Sequence, residues 1–438
     1  MTVREIALSL LTEYELGGKY VNLSLSSHKV DTLSREDKGF LTALLYTAVE
    51  RKITYDYYVG AISARGNDKI DVTTLNILRL GMAQILDMSS VADHVAVNET
   101  VKLARNQGER GFVNGVLRQT IRLKESGELP LPKREKNVAR HLSVKYSFPL
   151  WMAKHFTELY GAETTESLFE RYNGVRYTDI TVNLSKISRE EYMELLRDNG
   201  YSPEIGISSL TVRFNESLNP RLLPGFGDGL FFVQDSASAV CIEALGVKKG
   251  EEIIDVCACP GGKSFAAAIL TGNDGRITSQ DLHESKLSLI TEGAARLGIN
   301  NIRVAQCDAT EPREELFDSF DKVICDVPCS GLGVLAKKPD IRHKDNQSVR
   351  ELPKLQLDIL KKSSAYLKNG GCMVYSTCTL NPNENENVVA EFLKDNPEFS
   401  LCDFTVGDLT STGGVLTLIP HVHKTDGFFI AKIKKEKI

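Results

Sequence analysis

Residues 251–270 read EEIIDVCACPGGKSFAAAIL, and this stretch decides the fold. EEIIDVCA is a short apolar run of strand length, and a helix starts at Lys263, on the far side of a Pro-Gly-Gly turn. A strand that passes through a glycine turn straight into a helix is the repeating unit of a parallel sheet. The same alternation continues outward. GRITSQD precedes a helix at 284–297, NIRVAQC precedes FDKVICDVP, and a long helix near 348–367 leads into GGCMVYSTC, with GFFIAKIKK closing the series. Residues 230–438 are therefore predicted to form an α/β, doubly wound, Rossmann-like sheet.

Upstream the period changes. Residues 1–128 read as all-helical, with apolar positions at helical spacing in IALSLL, FLTALLYTAVE, TTLNILRLGMAQILDM, AVNETVKLA and FVNGVLRQTIRL. Breaks are expected at Gly17-Gly18, Gly66-Asn67 and Gly108, with Asp37 and Asp71 as N-caps. LPLPKREKN at 129–137 reads as a linker. Residues 138–229 then combine a helical segment (LWMAKHFTELYG, ETTESLFERY) with a small α+β unit: strand YTDITVNL, helix ISREEYMELLRDNGY, strand SSLTVRF.

Composition bounds the function. The 438 residues are 42% hydrophobic and 25% charged, which fits a folded globular chain and not a disordered one. No apolar run approaches the ~20 residues of a membrane span, and MTVREIALSLLTEYELGG carries no secretory pattern, so a cytoplasmic location is expected. Net charge is −5, but residues 101–140 hold ten Lys/Arg against four Glu, and 335–362 hold eight against four acids. Local basic stretches on an acidic chain fit a phosphate-binding face. The nine cysteines all lie at or after Cys241 and form no C-x-x-C pairs, which argues against a disulfide scaffold and predicts no metal site.

The loop Asp255-Val-Cys-Ala-Cys-Pro-Gly-Gly-Lys-Ser264 occupies the usual ligand position of such a sheet. A Walker A loop would need glycine where Cys257 stands, and the dinucleotide pattern is absent. A methionine-derived nucleoside needs no phosphate cradle and suits a shorter, less basic loop. Asp281, 24 residues after Cys257, ends the next strand where a carboxylate can bind a ribose diol. Asp308 follows the third strand, in place to face an adenine, and Asp326 ends the fourth.

Two further strand ends carry Asp326-Val-Pro-Cys329-Ser-Gly and Ser376-Thr-Cys378-Thr. Free cysteine is usually a small buried hydrophobe, but both of these sit where an open α/β sheet exposes its crevice. CACPGGK, DVPCSG and YSTCTLNPNENE resemble the three hallmark motifs of the RNA 5-methylcytosine methyltransferase family, and VNETVKLARNQGERGFVNGVLR is similar to the RNA-binding helical domain of NusB. With the middle segment, an RRM-like α+β unit, the likeness covers nearly the whole chain and points to the RsmB (Sun/Fmu) subgroup, which acts on 16S rRNA. The resemblance implies a class I methyltransferase sheet with S-adenosyl-L-methionine held by Cys257, Ala258, Cys259, Pro260, Gly261, Gly262, Lys263, Asp281, Asp308 and Asp326. It also implies Cys378 as nucleophile, Cys329 in product release, Asp326 as a base contact and Lys263 within the catalytic group, with Gln234 and Asp235 of VQDSAS nearby. Cys259 departs from the alanine more often found there.

A thiol suits the chemistry, because C5 of cytosine attacks a sulfonium methyl only after a nucleophile has added at C6. The residues alone leave open which cysteine attacks, since DNA cytosine methyltransferases use a Pro-Cys nucleophile. The target base must be single-stranded or flipped, and KKPDIRHK at 337–344 is expected to clamp RNA through Lys337, Lys338 and Arg342. The partner implied is small-subunit rRNA, free or early in assembly, bound by a monomer. Action on another RNA, or a non-catalytic assembly role, is the alternative.

Overall fold

The computed structural model describes residues 1–17, 25, 30, 32–63, 66, 69–338, 341–342, 344 and 346–437. Gly18 and Asn67, at two expected helix breaks, lie outside the described residues, as do Pro339, Asp340 and His343 of the KKPDIRHK stretch. The chain divides into two units: 1–173 with 338–346, and 174–337 with 347–438.

Helical periodicity builds the first unit from α1 (Val3–Gly17), α2 (Arg35–Glu50), α3 (Lys52–Ile62), α4 (Val72–Leu86), α5 (Asp93–Val101), α6 (Gln107–Ser126), α7 (Val138–Tyr146) and α8 (Leu150–Asn173). α4 is buried on nearly every side, from Asn76 to Ile85, so it is the axis around which Leu10, Leu41, Leu45, Val59 and Leu117 pack. Asp71 caps α4 by accepting from Thr74 N, as expected. Asp37 does not cap α2: Ser34 accepts the Asp37 N–H, and Asp37 falls in the first turn. Gly108 likewise lies inside α6, whose cap is Asn106. α3 escapes periodicity because KITYDYYVGAI is aromatic and β-branched, with weak helix propensity.

α7 docks against α3 through hydrogen bonds from Thr54 Oγ1 to Val144 O (2.6 Å) and from Ile53 N to Ser147 Oγ (3.1 Å). Both sides of the 129–137 stretch thus lie within the first unit, which runs to Asn173. Phe148 stacks on Phe169 at 4.1 Å, beside Phe156 and Tyr172.

The second unit opens with β1 (Thr178–Val182), α9 (Arg189–Asp198), β2 (Glu204–Ile205), β3 (Thr211–Phe214) and β4 (Phe231–Val233), paired in the order β2-β3-β1-β4. β4 carries this sheet past Gly229, where the sequence placed its end; three residues are too few to display an alternation. Arg213 and Asp179 pair face to face at 2.7 and 2.6 Å between β3 and β1, almost fully buried.

The main sheet follows: α10 (Ser236–Leu245), β5 (Glu252–Asp255), α11 (Gly262–Leu270), β6 (Arg276–Asp281), α12 (Leu287–Leu297), β7 (Ile302–Gln306), β8 (Phe320–Asp326), α13 (Asn346–Ser364), β9 (Leu367–Thr377), α14 (Glu386–Asp395), β10 (Phe399–Leu401), β11 (Thr405–Val406), β12 (Leu409–Thr410), β13 (Val415–Leu418) and β14 (Phe428–Lys435). The order is β10-β14-β9-β8-β5-β6-β7, parallel from β9 to β7 and antiparallel at β14. Val240, Phe265 and Ile290 of α10, α11 and α12 cover one face, while Leu360, Val388 and Phe392 of α13 and α14 cover the other. The sheet is doubly wound, as predicted. The chain moves outward through β6 and β7, then returns to place β8 on the opposite side of β5, so a crevice opens between β5 and β8.

Removing one member of a buried ion pair leaves an uncompensated charge. Arg213→Met is expected to lower the unfolding free energy by about 3–5 kcal/mol in urea titration, and adding Asp179→Leu should recover most of that loss.

Candidate active site

The loop after β5 is shaped by its neighbour strand. Ala258 N donates to Gln280 O (2.8 Å), and Asp281 accepts from Cys259 N and His283 N, both at 3.1 Å. The Cys259–Pro260 peptide is cis. Gly261 has φ +110°, and a Cβ there would lie 2.5 Å from the Phe265 ring, so two constraints demand glycine. α11 begins at Gly262 with no side chain capping it, which leaves its first N–H groups free for a carboxylate. Gln234 packs on Gly262, its Nε2 3.2 Å from where a Cβ would be. Asp281 keeps lone pairs for a diol after its two loop contacts. Asp308 sits beyond the end of β7, where Oδ1 accepts from Thr310 N (2.9 Å) and Oγ1 (2.7 Å). An open helix N-terminus and carboxylates after β6 and β7 fit a methionine-derived nucleoside.

Asp255 belongs to this site as well, although the sequence marks it only weakly. It is buried, accepts from Ser264 Oγ at 2.7 Å, and Ser279 Oγ extends the chain at 2.7 Å. Burial pushes its carboxyl up to about 7. Its signal was an acid closing an otherwise apolar strand.

β8 and β9 pair in parallel with Asp326 beside Ser376. That register brings the loops carrying Cys329 and Cys378 together, and their sulfurs lie 3.2 Å apart, both partly exposed. The Cys378 sulfur, then burial, then the negative charges of Glu384 and Asp326 push the Cys329 thiol well above its usual range. Asp326 accepts from Ser376 Oγ on one oxygen and from Lys263 Nζ on the other, each at 2.6 Å. Burial works against the Lys263 charge, but Asp326 outweighs it and raises the ammonium above its ordinary value. Lys263 also lies 5.1 Å over the Phe428 ring.

The two cysteine loops are locked to each other. Gly333 N donates to Cys378 O (2.9 Å), Gly427 N donates to Gly333 O (2.8 Å), and the Ser330 and Thr379 hydroxyls meet at 2.8 Å. A Cβ on Gly333 would lie 1.9 Å from Gly427 O and 2.8 Å from Cys378 O.

Two of the three residues expected to form a cationic clamp already have partners within the protein. Lys337 is spent on Asp235 (2.5 Å) and Asp426 (2.9 Å), and Asp235 also caps α10 through Ala237 N. Burial opposes ionisation of Asp235, but Lys337 outweighs it and lowers the carboxyl; burial and then Asp235 raise that of Asp426. Arg342 is fully buried in the first unit, its guanidinium 4.3 Å over Phe148 and 3.4 Å from Tyr172 O. Lys338 is exposed. Among the described residues no helix is long and apolar enough to cross a membrane, and no His, Cys, Asp and Glu side chains group as metal ligands.

Residues 242–434 match the family described as 16S rRNA methyltransferase RsmB/F, residues 1–122 the NusB family, and residues 148–215 the ferredoxin-like domain of RsmF/B-like methyltransferases. The probable ribosomal RNA small subunit methyltransferase B of Bacillus subtilis (strain 168) is 33% identical over 99% of both chains. The crystal structure of PH0851 covers 99% of this chain and 98% of its own, with TM-score 0.78 and 24% identity, a likeness of fold. A methyltransferase homolog protein from Pyrococcus horikoshii covers 68% of this chain and 99% of its own, with TM-score 0.60 and 29% identity.

Two substitutions test these placements. Gly333→Ala must displace the Cys378 carbonyl or the Gly427 turn; it should cost about 1–3 kcal/mol in thermal unfolding and about 100-fold in turnover. Arg342→Ala should destabilise the protein by about 2 kcal/mol while leaving the salt dependence of RNA affinity unchanged, as read by filter binding across ionic strengths.

Proposed function

The chain belongs to the 16S rRNA methyltransferase RsmB/F family, and from that membership we propose that it methylates C5 of a cytosine in small-subunit rRNA through a covalent bond from Cys378 to C6 of the base. The observation that carries this reading is the pair of thiols 3.2 Å apart at the mouth of the crevice. A small-molecule or protein methyltransferase has no use for such a pair.

S-adenosyl-L-methionine, when bound, supplies the electrophilic methyl group that the activated C5 accepts. The free N–H groups at the start of α11 would hold its amino-acid carboxylate, and Asp281 its ribose. The remaining work falls to this chain's side chains. The Cys378 thiolate adds to C6, and the electron pair displaced toward C5 makes that carbon nucleophilic. Asp326, with Lys263 and Ser376 fixing both of its oxygens, orients the base edge. After methylation the C5 proton leaves to solvent and the C6–S bond breaks, returning its electron pair to Cys378.

The environment of the thiols supports a division of labour that the sequence left open. The Cys378 sulfur, burial and nearby negative charge all raise the Cys329 thiol, which supports a role for it as hydrogen-bond donor to the departing Cys378 sulfur.

The test uses the full chain with rRNA and S-adenosyl-L-methionine. Cys378→Ala should lose methylation and form no adduct, whereas Cys329→Ala should accumulate a protein–RNA adduct that survives denaturing electrophoresis. Robust methylation by Cys378→Ala would sink the assignment, and the reverse adduct pattern would exchange the two roles.

A further inference from the structure

Pro328-Cys329-Ser330 follows β8 and Cys378 follows β9, yet one buried side chain from beyond Cys378 grips the first loop. Glu384 is 0% exposed. Its Oε2 accepts from the Ser330 backbone N–H (2.8 Å) and from Gln356 Nε2 (3.0 Å), and its Oε1 accepts from Asn381 Nδ2 (2.9 Å). Gln356 Nε2 also donates to Pro328 O at 3.0 Å. The peptide groups on both sides of Cys329 are thus tied to this carboxyl, one directly and one through Gln356. Each of its partners is an N–H donor, the complement of an ionised carboxylate, which accepts and cannot donate. Burying a full charge is costly, and a loop could be tied by a neutral amide. The charge has a use beyond the tie: after the Cys378 sulfur and burial, it adds to what raises the Cys329 thiol. Among the described residues, Cys378, Asp326 and Tyr375 also act electrostatically on Cys329 or are acted on by it. Nearby negative charge disfavours a thiolate.

We propose that Glu384 is a positioning residue that holds the Cys329 S–H against the Cys378 sulfur, so that the thiol donates its hydrogen bond as the C6–S bond breaks. No proton or electron pair passes through Glu384; the electron pair of the broken bond returns to Cys378, and Cys329 keeps its proton. This inference rests on the covalent two-thiol reaction proposed above.

The test replaces Glu384 in the full chain. In Glu384→Gln, the pH midpoint for iodoacetamide alkylation of Cys329, read by fragment-resolved mass spectrometry without RNA, is expected to fall by about one unit or more. With rRNA present, its denaturation-resistant adduct should persist about tenfold longer than that of the parent chain. A folded Glu384→Gln protein with the parent midpoint overturns the proposal. Should that variant not fold, Glu384→Asp decides, since it keeps the charge but withdraws from the Ser330 N–H by one methylene. Slowed adduct release in Glu384→Asp supports the proposal, and release at the parent rate overturns it. Failure of the covalent reaction itself would look different: Cys329→Ala would form no adduct although the parent chain methylates.

Discussion

The parallel pairing of β8 with β9, in the register that sets Asp326 beside Ser376, is the constraint on which the rest of the site depends. Backbone hydrogen bonds fix that register over much of each strand, and a slip of one residue would turn every side chain to the opposite face. With the register set, the short distances from Asp326 to Cys329 and from Ser376 to Cys378 leave the sulfurs little freedom. The Gly333–Gly427 contact, the Ser330–Thr379 hydrogen bond and the grip of Glu384 remove what freedom remains. A strongly cooperative element thus sets the 3.2 Å separation of two side chains borne on loops.

The same logic separates what the sequence makes legible from what it hides. βα alternation is a local signal, so the sheet, its helices and the strand-end positions of Cys329, Cys378, Asp281 and Asp326 can be read from spacing alone. α3 falls within the all-helical reading of 1–128 although its own residues favour strands, and Tyr55 and Val59 bury it in the helical core. β4 is hidden because three residues display no period. The role of Glu384 is invisible for another reason. Its partner Ser330 lies 54 residues away, and nothing in NPNENE distinguishes that glutamate from its neighbour Glu386.

Charge in the sequence says little about how each cation is placed. Lys337, Lys338 and Arg342 look equivalent as a basic run, yet they meet three different environments. Lys337 is exposed but paired with two carboxylates, Lys338 is exposed, and Arg342 is buried on an aromatic ring. A cation on a surface is free to meet phosphate, whereas one already neutralised or desolvated must first give up what it has. Counting basic residues measures potential ligands for RNA and says nothing about how many are already engaged.

Arg342 has a consequence for how the protein is made. It is separated from Tyr172 by 170 residues, and it belongs with Phe148 and Tyr172 in the first unit. Chains leave the ribosome N-terminus first, and domains usually fold in that order. Arg342 is made only after β5, β6, β7 and β8 have been translated, so the side chain that rests on Phe148 arrives long after the aromatic residues it joins.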